Sequence, residues 1–280
     1  GIRPLCMGRI KDSIVFASET CALDTVGATF VRDIRPGEIY VVNQTGEFSM
    51  EDYCNQTSAL CIFEHIYFAR PDSVIDGQSV NEARVEAGKM LAKQHPVEAD
   101  VVIGVPDSGL SSAIGYSIQS GIPYGVGLIK NRYIGRTFIQ PSQAMRERSV
   151  ALKLNVLKAN IDGKRVIVID DSIVRGTTLA NIIKMLKKGG ATEVHVRISS
   201  PKFIYPCFFG TDIPDRSQLA SVNYTHDELC RKIGADSLGF LDTDSVDEIA
   251  KHSKLAFCKA CFTGNYPCPV PESVNKTEFE

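Results

Sequence analysis

Residues 166–179, VIVIDDSIVRGTTL, hold the densest chemistry in the chain. A β-branched run ends in two adjacent carboxylates, Asp170 and Asp171, followed by Ser172, Arg175, Gly176, Thr177 and Thr178 and then by helical spacing. A strand that feeds a tight turn and a helix N-terminus gathers backbone N–H groups and hydroxyls at one point, a natural site for an anion such as phosphate. The carboxylates would repel that anion directly. They fit better against sugar hydroxyls, or against a Mg2+ that the phosphates share. On these residues alone, a buried strand ending in a solvated acidic turn is the competing reading.

The same construction occurs earlier. Residues 101–105, VVIGV, run into Pro106, Asp107, Ser108 and Gly109. Two such turns at one sheet edge would hold opposite ends of a doubly phosphorylated ligand, whereas a single one is an ordinary connection with Ser108 as N-cap. Residues 130–139, KNRYIGRTFI, are too long and too cationic for a minimal link. Lys130, Arg132 and Arg136 are placed to neutralise charge on a departing anion, and Tyr133 and Phe138 argue for a segment that closes over a site. An exposed basic loop is the alternative.

The elements that must carry these residues alternate. Residues 83–93 and 108–120 have helical spacing, the latter stopped by Gly121. Residues 100–105, 124–129, 166–170 and 193–198 read as strands, and 150–156 alternates at period two. This pattern predicts an α/β fold, a mostly parallel sheet covered by helices on both faces, with ligands beyond the carboxyl ends of its strands. Residues 1–50 read instead as short β pieces (13–18, 28–32, 38–43) without helix-length periodicity, and 44–58 as a linker. The last sixty or so residues read as mainly helical, because residues 225–228 and 245–248 both match the capping box.

Composition narrows the partners. A formal net charge of −2 gives no electrostatic case for nucleic acid, and no apolar run approaches the ~20 residues that span a bilayer. Nine cysteines, an odd count with no export signal, fit a reducing cytoplasmic setting with some thiols on metal better than a disulfide framework. Cys258 and Cys261 form a C-x-x-C, which suits a redox pair, half a zinc site or half an iron–sulfur site, with Cys61 and Cys207 as distant partners. Zinc is the commoner choice from chemistry alone.

The 166–179 string resembles the signature of the type I phosphoribosyltransferases, which bind phosphoribosyl pyrophosphate (PRPP). The resemblance implies that Asp170 and Asp171 take the ribose hydroxyls and Mg2+. Ser172, Arg175, Gly176, Thr177 and Thr178 would then surround the 5′-phosphate, and Asp107, Ser108 and Gly109 the pyrophosphate, with Ser108 in the metal shell. Residues 61–73, 205–210 and 258–267, with both turns in order, are similar to the glutamine phosphoribosylpyrophosphate amidotransferase family.

That likeness implies a [4Fe–4S] cluster on Cys61, Cys207, Cys258 and Cys261, in place of zinc. It also implies ammonia or glutamine as co-substrate, purine nucleotides as inhibitors, and a dimer or tetramer. Residues 1–52 then look like the end of a glutaminase domain, 53–230 the phosphoribosyltransferase domain, and 231–280 a helical segment with cluster ligands. No cysteine sits where that family keeps its N-terminal nucleophile, so the expectation is a chain that uses ammonia and not glutamine. A salvage phosphoribosyltransferase shares the signature but needs neither the cysteine segments nor the domain remnant. A non-catalytic PRPP-sensing regulator shares the fold but would need a nucleic-acid surface, against which the acidic net charge and the absence of a basic recognition helix count.

Overall fold

Val166, Val168, Ile167 and Ile169 are all fully buried, as β-branched residues are when a central strand is covered on both faces. They belong to strand β12 (Arg165–Asp170), which lies between β9 (Val101–Gly104) and β13 (Glu193–Ile198). With β14 (Ser237–Phe240) they form an all-parallel sheet in the order β14-β13-β12-β9. The computed structural model describes residues 1–54, 57–131, 133, 153–211 and 215–270. Its chain divides into two compact units, residues 1–83 with 247–260 and 264–280, and residues 84–246 with 261–263.

The parallel sheet belongs to the second unit. One face is covered by the helix after β12 (α5, Thr177–Lys188), whose Leu179, Ile182, Ile183 and Leu186 recur at helical spacing and pack with Val166, Val168, Val194 and Val196. Ile167 and Ile169 point the other way, in register with His195 and Arg197 of β13. On that face lies the helix after β9 (α3, Leu110–Ser120), where Tyr116 and Arg197 both donate to the carbonyl of His95 at 2.9 Å. Gly121 ends α3 in the left-handed region.

Other expectations are adjusted. Within 124–129 only a bridge from Tyr124 to Val102 forms before a short strand β10 (Leu128–Lys130). β10 pairs antiparallel with β11 (Leu154–Val156), outside the parallel sheet, with Lys130 opposite Leu154. The first part of the predicted 150–156 strand lies outside the described residues.

In the first unit, β1 (Cys6–Ile10) sits between β2 (Ser13–Ala17) and β3 (Thr29–Asp33), all antiparallel. A seven-residue helix, Thr20–Val26, connects β2 to β3, where no helix was expected. The presumed linker contains a strand, β5 (Gly46–Met50), paired with β4 (Ile39–Asn43). Asn43 Oδ1 accepts from the Thr45 N–H at 2.9 Å and from its hydroxyl at 2.6 Å, which turns the chain back after two residues.

The C-terminal region is less helical than its caps suggest. The 225–228 box forms reciprocally and starts a helix at His226–Ile233, but residues 246–250 make only a 3₁₀ turn. Beyond that turn Asp76 accepts the N–H groups of Lys254 and Leu255 at 2.5 and 2.9 Å. No helix among the described residues is long and apolar enough to cross a membrane.

Candidate functional site

Parallel pairing of β9 with β12 sets Ile103 opposite Val168 and Gly104 opposite Ile169, so the two strands end level. The turns that follow them therefore emerge side by side at the carboxyl edge of the sheet. Two contacts fasten them. The Val105 N–H donates to the Ile169 carbonyl at 2.9 Å, and Ser108 Oγ donates to Asp171 Oδ2. Gly109 sits so close that a Cβ there would lie 2.3 Å from the Ile169 carbonyl oxygen, so only glycine allows this approach. The peptide between Pro106 and Asp107 is cis.

The two carboxylates have different surroundings. Asp171 is buried, and its oxygens accept from the hydroxyls of Ser108 and Ser172. Burial pushes its carboxyl above the ordinary range, opposed by those hydroxyls and by the positive charge of Arg84. Asp170 is half-buried, with Oδ1 accepting the Asp171 N–H at 3.0 Å. Loss of solvation first, and the adjacent Asp171 charge second, push it well above the carboxylate range. Once ionised, such a pair would carry negative charge that the protein offsets only in part, which suits Mg2+, a cation that takes one or two carboxylates and fills its shell with substrate oxygens and water. No group of three or more His, Cys, Asp or Glu side chains that could hold a metal converges among the described residues.

The phosphate-loop candidates follow directly. Gly176 adopts φ 79°, a left-handed conformation that favours glycine, and opens α5 with no side-chain cap. The first N–H groups of that helix, from Thr177 onward, have no intrahelical acceptor, and Thr177 and Thr178 are exposed. Ser172 is turned onto Asp171. Arg175 donates to Gln218 Oε1, and the Ala220 N–H to the Val174 carbonyl at 2.7 Å, which ties the loop down. Lys130 donates through Nζ to Asp107. Tyr133 is almost fully exposed, with its N–H on Asn131 Oδ1 at 3.1 Å. Arg132 and Arg136 lie outside the described residues.

Arg84 was not anticipated. It is buried on the helix Val80–Gln94, on the same face as Val80, Ala83, Ala87 and Leu91. An arginine four residues after Val80 on an apolar stripe was the available signal.

The four candidate cluster cysteines fall in two places. In the first unit Cys61 and Cys258 are direct partners in the parallel pairing of β6 (Leu60–Cys61) with β15 (Phe257–Cys258). Burial raises the Cys61 thiol to about 12, against the opposing effect of the Phe63 N–H. In the second unit the Cys261 carbonyl accepts from the N–H groups of Ile204 and Tyr205 at 3.1 and 3.2 Å, while Cys207 Sγ accepts from the Phe209 N–H at 3.4 Å. A backbone N–H two residues on thus faces both Cys61 and Cys207, the kind of contact that tunes metal-bound thiolates. A separate cavity of about 190 Å3 in the first unit is lined by residues including Arg3, Asp33, Arg35 and Asp76 and by neither turn.

Residues 80–200 match the family described as "Phosphoribosyl transferase domain". Those residues belong to that domain family. The fold is that of the type I phosphoribosyltransferases. An amidophosphoribosyltransferase of Archaeoglobus fulgidus is 51% identical over 274 residues, covering 97% of this chain and 60% of its own length. One from Bacillus subtilis is 50% identical, covering 96% of this chain and 58% of its own length. The solved glutamine PRPP amidotransferase of B. subtilis, complexed with ADP and GMP, superposes with a TM-score of 0.88 at 50% identity, covering 97% of this chain and 61% of that one. The chain thus spans less than two thirds of the length of these relatives.

Proposed function

We propose that this chain carries the PRPP site of an amidophosphoribosyltransferase. In the reaction the ammonia lone pair attacks the anomeric carbon of PRPP. The bond to pyrophosphate breaks with its electron pair, a proton leaves the new amine, and 5-phosphoribosylamine and pyrophosphate result. The observation that carries this reading is the joining of two phosphate-type turns, through Ser108 and Asp171, at one sheet edge. Similarity to amidophosphoribosyltransferases across nearly the whole chain supports ammonia as the nucleophile rather than a purine or pyrimidine base.

Pyrophosphate is a good leaving group and ammonia a good nucleophile, so the protein contributes mainly positioning and charge stabilisation. Asp170 and Asp171 orient the ribose through its hydroxyls. Gly176, Thr177 and Thr178, with Ser172 and Arg175 beside them, receive the 5′-phosphate at the N-terminus of α5. The backbone of 107–109 and the Ser108 hydroxyl receive the pyrophosphate, with Lys130, and with Arg132, Tyr133 and Arg136 as lid residues. Asp170, Asp171 and Ser108 would hold Mg2+, which would supply charge neutralisation to the leaving group.

Cys61, Cys207, Cys258 and Cys261 would hold the [4Fe–4S] cluster that the resemblance implies, in a structural role, which fits a reducing cytoplasmic setting. The N–H groups facing Cys61 and Cys207 support this assignment. Residues 1–52 form the end of a glutaminase domain, 53–230 the phosphoribosyltransferase domain and 231–280 the C-terminal segment. Purine nucleotides inhibit by imitating the phosphates of PRPP, and the whole protein assembles as a dimer or tetramer. The relative bound to ADP and GMP supports the nucleotide part.

The test is pyrophosphate release from PRPP and Mg2+ by the 280-residue chain, with ammonium chloride and with glutamine in parallel. Ammonium-dependent release is the expected result. A folded chain that ignores ammonium but couples PRPP to a purine or pyrimidine base would overturn the reading.

A further inference from the structure

We infer that Asp107 is a positioning residue that acts as an internal anion for Lys130. Its carboxylate keeps the Lys130 ammonium at the β9 turn while no phosphate is bound, and yields it to an arriving pyrophosphate group. The inference rests on the proposed phosphoribosyl function and names what makes that site selective for a pyrophosphate end.

The geometry is specific. Lys130 closes β10 opposite Leu154, and the next residue, Asn131, donates its N–H to the Lys153 carbonyl at 2.8 Å. The root of the lysine side chain is therefore fixed by backbone pairing. Its ammonium meets Asp107 at the tip of the turn, and the turn is itself fixed by Gly109 against the Ile169 carbonyl and by Ser108 on Asp171. What can change is the partner of the ammonium, without movement of either backbone.

Exposure decides how easily the partner changes. The Lys130 and Asp107 side chains are 45% and 70% exposed. An ion pair so open to water is weakly held. Asp171, by contrast, is buried and hydrogen-bonded through both oxygens. A pyrophosphate group, with several negative charges, outcompetes one carboxylate for the ammonium. A singly charged ligand does so poorly. Asp107 consequently lowers affinity for every anion, and lowers it most for weakly charged ones. This revises the expectation that the Asp107 side chain itself grips the pyrophosphate.

The experiment is calorimetric titration of wild type, Asp107→Asn and Asp107→Glu with inorganic pyrophosphate and with orthophosphate, at low and high salt, beside steady-state kinetics with PRPP. Asp107→Asn is expected to bind pyrophosphate roughly two- to five-fold more tightly, the range an exposed ion pair supports. The gain should shrink at high salt. KM for PRPP should fall, orthophosphate should gain at least as much as pyrophosphate, and Asp107→Glu should restore wild-type values. Unchanged or weaker pyrophosphate binding by Asp107→Asn would overturn the inference, a tenfold loss meaning that the carboxylate touches the ligand or its metal. If wild type binds neither pyrophosphate nor PRPP, the phosphoribosyl reading fails as well, and the two failures are distinguishable.

Discussion

Ser108 Oγ donates its hydrogen bond to Asp171 Oδ2, so the residue that begins one anion-binding turn fixes the carboxylate that begins the other. Ser108→Ala leaves a buried carboxylate short of a donor, a loss of about 1–3 kcal/mol. The expected outcome is a lower urea midpoint together with at least a tenfold drop in ammonia-dependent turnover. A drop in stability without loss of turnover would separate the bond from catalysis.

Asp170→Asn separates function from stability more sharply. Burial and the Asp171 charge raise the Asp170 carboxyl above its ordinary 3.8 in the folded chain. Below that ordinary value both states are protonated and nothing is lost. As pH rises through the folded-state value the unfolded chain ionises more readily, so stability falls. Asp170→Asn removes this penalty. Its Tm without ligand should exceed wild type at neutral pH and converge on it near pH 4, while turnover drops about a hundredfold or more. Thermal unfolding across pH, with parallel PRPP assays, checks both halves.

Gly109→Ala tests the close approach of the turns. Its Cβ would meet the Ile169 carbonyl at 2.3 Å, so the β9 turn must lift, at a strain of about 1–3 kcal/mol. Urea unfolding should show that loss, and KM for PRPP should rise because the two phosphate grips no longer match one ligand. An unchanged KM would mean that the spacing is not critical.

Acid sensitivity of the first unit should depend on Glu38. Its carboxylate is held by Arg32, lies within 2.8 Å of the Arg35 N–H, and is lowered from 4.5 to about 2. A lowered folded-state value contributes stability above the ordinary value and loses it as pH falls. Wild type should therefore be more stable than Glu38→Gln at neutral pH, with the difference disappearing between pH 4.5 and about 2. Equal stability at pH 7 would show that the pair contributes nothing.

For the cysteines the measurement is a spectrum. Chain purified without oxygen should be brown, with broad absorbance near about 400 nm and about four irons per chain. Cys207→Ser and Cys258→Ser should each bleach it. Zinc at about one per chain, with no visible absorbance, would replace the cluster with a tetrathiolate site.

Strands β12 and β13 were legible because a strand covered on both faces must be apolar throughout, and because Gly176 and the hydroxyl residues mark the turn after the carboxylates. The β4–β5 hairpin was missed because Gln44 and Thr45 look like loop when the Asn43 side-chain turn is not recognised. The helix Thr20–Val26 is too short to show a period. At residues 245–248 the capping box marks a start but carries no information on length, and the chain beyond the turn is held by Asp76, far away in sequence. Nothing in the sequence told Arg84 from an arginine that faces water, yet burial strengthens the effect of its charge on Asp171.

Cys61 and Cys258, paired as neighbours on β6 and β15, are separated by roughly two hundred residues of intervening chain. A ribosome that has delivered the first of them must deliver the whole parallel sheet before the second appears. The parallel sheet of the second unit can therefore collapse before the strand that partners β6 has been made. Until then the β6 edge waits without its partner, which makes this the stage at which a nascent chain is most exposed to mispairing.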